Sequence, residues 1–225
     1  MNIEQARFNM IEQQIRPWDV LDSQVLQLLS AVKREDFVPL AHKALAFIDM
    51  EIPLKNPGAQ AMQKGQCMLA PRVEARILQD LAVHKHEKVL EIGSGSGYMA
   101  ALLAHRAQQV LSLEIDPELA QTARENLQKA GVYNAQIRVA DASQDLSKEG
   151  SFDVIVLSGS VAQIPKHILA QLKPAGRLFA ILGDEPTMYA TFVTKAADGS
   201  ITTIQPWDTC APRLQGFGER SSFHF

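Results

Sequence analysis

Apolar positions along this 225-residue chain change their spacing as the chain proceeds. Ile3, Ala6, Met10, Ile11 and Ile15 recur at helical intervals, as do Leu21, Val25, Leu28, Leu29 and Val32, so residues 1–50 read as helical. Residues 51–70 hold Pro53, Pro57, Gly58 and Gly65 with little periodicity and read as a long loop or a few short strands. Pro71 suits the first turn of a helix through Leu81. Apolar residues then bunch in short runs at Val89-Leu90, Val110–Glu114, Ala135–Ala140, Phe152–Leu157 and Arg177–Leu182. Helical stretches separate them at Tyr98–Ala104, from Asp116-Pro117-Glu118 onward and at Pro165–Leu172. Short buried strands alternating with helices predict an α/β fold with a Rossmann-like, doubly wound, mostly parallel sheet. Ser158-Gly159-Ser160 and Lys173–Gly176 read as turns, and Tyr189–Thr194 and Ile201–Pro206 as late strands around the Asp198-Gly199 turn.

Composition narrows the class without changing that picture. With 46% hydrophobic residues the chain can bury a full core as a single domain over 1–225. No apolar stretch approaches the roughly 18 residues that span a bilayer, and the N-terminus lacks the basic start and apolar stretch of a signal peptide, so neither membrane nor export is expected. Cys67 and Cys210 lie far apart with no metal-ligand spacing, as free thiols in a reducing cytoplasm would. A net charge of −3 with scattered basic residues gives no footprint for nucleic acid. His84 and His86 flank a lysine with no third ligand near, and no metal site is expected. Nothing in the sequence sets an oligomeric state.

The most informative stretch is residues 89–97, Val-Leu-Glu-Ile-Gly-Ser-Gly-Ser-Gly. A buried strand there ends in Glu91 and then in Gly93, Gly95 and Gly97, with Ser94 between them and Tyr98 opening a helix. The dinucleotide fingerprint G-x-G-x-x-G places its third glycine one residue later. A carboxylate at the strand end would repel a diphosphate but attract an ammonium group. S-adenosylmethionine carries that ammonium and a sulfonium, and no phosphate. A second acid, to accept hydrogen bonds from ribose hydroxyls, is expected about 20 residues on. Glu114, followed by Ile115, closes the next strand 21 residues past Gly93.

The glycine loop resembles motif I of the class I methyltransferases, and on that likeness Asp141, with Ala142 beside it, would hold the adenine amino group. The flanks sharpen the resemblance. Arg7-Phe-Asn-Met10, Val20-Leu-Asp22, Val32–Pro39, Phe47-Ile-Asp49, Ile52-Pro53 and Gly65-Gln66 fall in the order seen in protein-L-isoaspartate O-methyltransferases, and Gln171–Arg177 continues it. The resemblance covers most of residues 7–183. It implies a class I methyltransferase fold, S-adenosylmethionine as cofactor, and methylation of the α-carboxylate of isoaspartyl residues in proteins, a repair reaction. It also divides the chain into a helical N-terminal segment (1–50), a substrate-side loop (51–70) and a cofactor-binding core with C-terminal strands (71–225).

The sequence departs from that family at three places. After Gly65-Gln66 the family reads Thr-Ile-Ser, its serine contacting the substrate carboxylate; here Cys67 stands at the threonine and Leu69 at the serine. The turn after the fourth strand reads Ser158-Gly159-Ser160, whose hydroxyls offer a replacement donor. The family's Arg-Phe-Val-Pro-Leu ending gives way to Ala211–Phe217. Leu69, Cys67 and Ser158 are therefore the candidate catalytic positions, and the alternatives are a less polar acceptor or a cofactor-binding protein that has lost catalysis.

Overall fold

The computed structural model describes residues 2–218. Helix α1 (Ile3–Met10) is capped by the Asn2 side chain and runs on through a wider turn over Ile11–Ile15 and a tight one over Arg16–Trp18. Helix α2 (Ser23–Ala31), capped by Asp22, buries Val25, Leu26, Leu28 and Leu29. A small hairpin follows: β1 (Ile52–Pro53) and β2 (Cys67–Met68) pair antiparallel, with the short helix α3 (Gly58–Gln63) between them. Helix α4 (Pro71–Leu81) starts at the expected proline.

The rest alternates as the pattern predicts: β3 (Lys88–Ile92), α5 (Tyr98–Arg106), β4 (Gln109–Glu114), α6 (Pro117–Lys129), β5 (Ala135–Val139), β6 (Phe152–Val161), α7 (Lys166–Ala170), β7 (Leu172–Asp184), β8 (Thr187–Lys195) and β9 (Ile201–Asp208). Seven strands form one sheet in the order β5-β4-β3-β6-β7-β8-β9. The first five are parallel, whereas β7–β8 and β8–β9 pair antiparallel. No helix among the described residues is long and apolar enough to cross a membrane.

Alternation along the central strands sends residues to opposite faces. Val89, Val154, Val156, Phe179 and Ile181 join a core with α2, α4, α5 and α6. Leu90, Ile155, Leu157, Leu178 and Ala180 join a second core on the other face, where cover comes from α7, loops and the segment around Leu214 and Phe217.

Two expected turns are strand. Ser158–Ser160 continues β6, because Ser160 and Val161 pair with Ile181 and Leu182 of β7 across a shift in register. Lys173–Gly176 lies within β7 as a bulge: Phe152 faces Leu172 and Val154 faces Arg177, so the extra residues loop out without ending the strand. The helix expected over Pro165–Leu172 is shorter, Lys166–Ala170, with Pro165 at its cap.

Candidate functional site

The carboxyl ends of β3, β4 and β5 meet at one edge of the sheet, where ligands of open α/β sheets bind. The loop leaving β3 turns with Gly93, Gly95 and Gly97 all at positive φ. A side chain at Gly97 would also press within 3.2–3.3 Å of Ala123, so glycine there lets α5 begin against α6.

Glu91 is completely buried behind this loop. Its carboxyl accepts the hydroxyls of Ser112 at 2.6 Å and Ser158 at 2.9 Å, and Ser94 Oγ lies 2.5 Å from Ser112 Oγ. One carboxyl thus ties β3, β4, β6 and the glycine loop together. Burial pushes it up to about 8 against the pull of the two hydroxyls. Glu114 accepts the Gly95 N–H at 2.8 Å with one oxygen and the Asp116 N–H at 3.0 Å with the other. Burial raises its carboxyl too, offset in part by those backbone bonds.

Asp116 caps α6 through the Glu118 and Leu119 N–H groups. Its second oxygen accepts Lys55 Nζ at 2.6 Å and Gln66 Nε2 at 2.8 Å, which anchors the β1–β2 hairpin to the start of α6. At the end of β5, Asp141 accepts the Ser143 N–H and hydroxyl at 2.9 and 2.7 Å. Burial works against its ionisation, but the bonds from Ser143 and Gln144 prevail and hold it below the usual carboxylate range.

These elements enclose a cleft whose lining includes Cys67, Gly93, Gly95, Glu114, Ile115, Ala142 and Ser158. It continues into a cavity of ≈ 20 Å³ lined by Leu69, Glu74, Glu91, Ser94 and Tyr98 among others. Of the expected residues, Gly97 and Asp141 line neither space: Gly97 packs on α6, and Asp141 faces Gly216.

Leu69 is buried, and its carbonyl accepts Arg34 Nη2 at 2.8 Å. Arg34 is fully buried, pairs with Glu74 and lies 5.4 Å from the Tyr98 ring centre. Burial pushes the Glu74 carboxyl up to about 7 despite that partner. The Tyr98 hydroxyl and Arg34 Nε have no partner among the described residues. Burial, with the charges of Glu51 and Glu74, pushes the Cys67 thiol up to about 12, so it is no thiolate at neutral pH. Ser158 spends its one proton on Glu91, and Ser160 is buried with no partner for its hydroxyl among the described residues.

Sequence reasoning missed the outer wall of the cleft. Residues Pro212–Leu214 run beside β6: Ser160 N donates to Pro212 O and Leu214 N to Ser160 O, both at 2.9 Å. Leu214, Gln215 and Phe217 line the cleft, and Gln215 Nε2 donates to Lys64 O at 2.7 Å. A Cβ at Gly93 would meet Leu214 Cδ2 at 2.8 Å. Only the altered ending hinted at this, since a strap without helical or strand period leaves no pattern.

Comparison with known proteins agrees with the resemblance. The model of the family described as Protein-L-isoaspartate(D-aspartate) O-methyltransferase (PCMT) matches residues 5–209 and stops before the strap. The protein-L-isoaspartate O-methyltransferase of Methanoculleus marisnigri is 35% identical over 213 residues, 94% of this chain and 93% of its own. Protein-L-isoaspartate O-methyltransferase 1 of Syntrophobacter fumaroxidans is 36% identical over 199 residues, 88% of this chain and 89% of its own. Among solved structures, a beta-aspartate methyltransferase (PCMT) of Plasmodium falciparum in complex with S-adenosyl-L-homocysteine superimposes with a TM-score of 0.77 at 20% identity, covering 93% of this chain and 98% of that one.

Proposed function

The chain belongs to the protein-L-isoaspartate(D-aspartate) O-methyltransferase family, and from that premise we propose that it transfers the methyl group of S-adenosylmethionine to the α-carboxylate of isoaspartyl residues in proteins. The observation that carries the reading is the row of acids at three adjacent parallel strand ends: Glu91 and Glu114 against the glycine loop, and Asp141 just past β5 beside the cleft-lining Ala142. A cofactor rich in donors and positive charge, with no phosphate, is the complement of such a row. Glu91 would face the ammonium group, Glu114 the ribose hydroxyls and Asp141 the adenine amino group.

When bound, the cofactor supplies an electrophilic methyl on its sulfonium. The acceptor carboxylate, with a reference pKa near 4, is ionised at pH 7 and needs no general base. The protein's part is to place that carboxylate in line and strip water from it. Leu69, buried against Arg34 and Glu74, excludes water without donating a hydrogen bond. A cytoplasmic location goes with this reading, and the two free thiols fit it.

The test is Leu69→Ser assayed on an isoaspartyl peptide. A restored donor to a charged acceptor is worth about 1.5–3 kcal/mol, roughly ten- to a hundredfold in rate if realised in the transition state. Methylation should rise while cofactor affinity stays unchanged. Slower turnover in the variant would place Leu69 in a working pocket. Silence from both proteins, with cofactor bound, would move the acceptor to a less polar class, the reading that Leu69 favours.

A further inference from the structure

A second cleft, ≈ 510 Å³ in volume, opens between the N-terminal segment, the first half of α4 and the ends of β8 and β9. Its size falls within the range of small-ligand sites. Trp18, 52% exposed, forms one wall with the Arg72 guanidinium 4.1 Å from its ring centre. Trp207 forms another, its indole N–H donating to Asp80 and its face met by Arg76 at 5.6 Å.

Both arginines are already neutralised, Arg72 by Asp49 at 2.7 Å and Arg76 by Asp80 at 3.1 Å. Among the described residues, Glu51 and Asp208 in the lining have no ion-pair partner, and neither does Glu185 close by. Negative charge is therefore in excess around an aromatic-walled space.

Its position matters as much as its charge. The β1–β2 register pairs Ile52 with Met68 and Pro53 with Cys67, so Glu51 enters the hairpin where Leu69 leaves it. Leu69 lines the small cavity with Glu91, and Ala70 lines the second cleft. The second cleft therefore begins one residue beyond Leu69, beside the position proposed for the acceptor carboxylate.

We propose that this cleft seats a basic side chain of the protein substrate adjacent to the methylated residue, with Glu51 and Asp208 facing its charge and Trp18 along its alkyl stem. The proposal rests on the methyl transfer to a protein carboxylate described above. Burial and the Glu185 charge push the Glu51 carboxyl up against the pull of Arg72, and a bound cation would add to that pull. Glu51 and Asp208 are thus specificity-determining residues, outside the methyl-transfer chemistry.

Both tryptophans of the chain line this cleft, so intrinsic fluorescence reports on it directly. Two isoaspartyl hexapeptides are titrated, one with lysine and one with glutamate on both sides of the isoaspartyl residue. Charge complementarity at a partly desolvated site should give the lysine peptide about tenfold lower Kd, and a lower KM with kcat unchanged. In Glu51→Gln/Asp208→Asn the ratio should fall below about threefold. Equal Kd values in the wild type, or a ratio that survives the double substitution, overturn the proposal. Loss of methylation with the Kd ratio intact would strike the proposed acceptor and leave the basic-residue cleft standing.

Discussion

The two halves of the site are held by different means. On the proposed cofactor side, Glu91, Glu114 and Asp141 sit at the ends of neighbouring strands and are fixed by bonds from adjacent loops and hydroxyls. On the proposed acceptor side, Leu69 is held from far away in sequence, through Arg34, which donates to its carbonyl and is itself paired with the buried Glu74. The first half is local and repeats the logic of the sheet. The second depends on a few long-range contacts, so single changes there should cost more.

The largest effect tests that dependence. Glu74→Leu leaves the fully buried Arg34 guanidinium without a counter-charge, and this cation cannot shed its proton. Unfolding in urea should show a loss of about 3–5 kcal/mol. Arg34→Met should cost less at pH 6, because the Glu74 carboxyl, already raised to about 7 with Arg34 pulling it down, rises further without that partner and keeps its proton. The gap should narrow as pH rises, since keeping the carboxyl protonated then costs progressively more. Equal costs across that range would mean that the pair is not what fixes this half.

The next effect is confined to the other half. Glu114→Ala should weaken cofactor binding by about 1.5–3 kcal/mol in calorimetry, and Asp141→Ala should also weaken it. Replacing Asp145, exposed in a turn and bonded only to Ser147, should change nothing. An unchanged Glu114→Ala affinity would break the assignment of this side.

The smallest effect is a slope. Glu91 has its folded value raised to about 8, so the native state holds a proton that the unfolded chain releases near 4.5. Cofactor-free stability should therefore fall as pH rises from about 4.5 to 8. The depressed carboxyls, such as Asp141, lose their contribution only below that window. Thermal melts of wild type and Glu91→Gln should show the steeper fall in the wild type; parallel curves would mean that Glu91 ionises freely.

The same division governs what the sequence could say. Strand ends followed by acids, a glycine loop and a proline-opened helix are short-range signals, and β3, β4, α4 and α6 appear where the spacing put them. The errors lie where tertiary pairing overrides local signals. Ser158–Ser160 carries turn residues, yet pairing with β7 keeps it extended. The Lys-Pro-Ala-Gly run is absorbed as a bulge. The strap and the Arg34–Glu74 pair were invisible for another reason: their partners lie 40 or more residues away, and no periodicity encodes them.

Asp116 belongs to both halves, capping α6 while gripping Lys55 and Gln66 of the acceptor hairpin. A displacement of that hairpin is passed to the helix that follows Glu114. If occupancy of one half shifts the hairpin, thermodynamic reciprocity sets the terms: by whatever factor a seated peptide tightens the hold on the cofactor, the cofactor must tighten the hold on the peptide. Cutting the Lys55 and Gln66 contacts would leave two sites that bind as strangers.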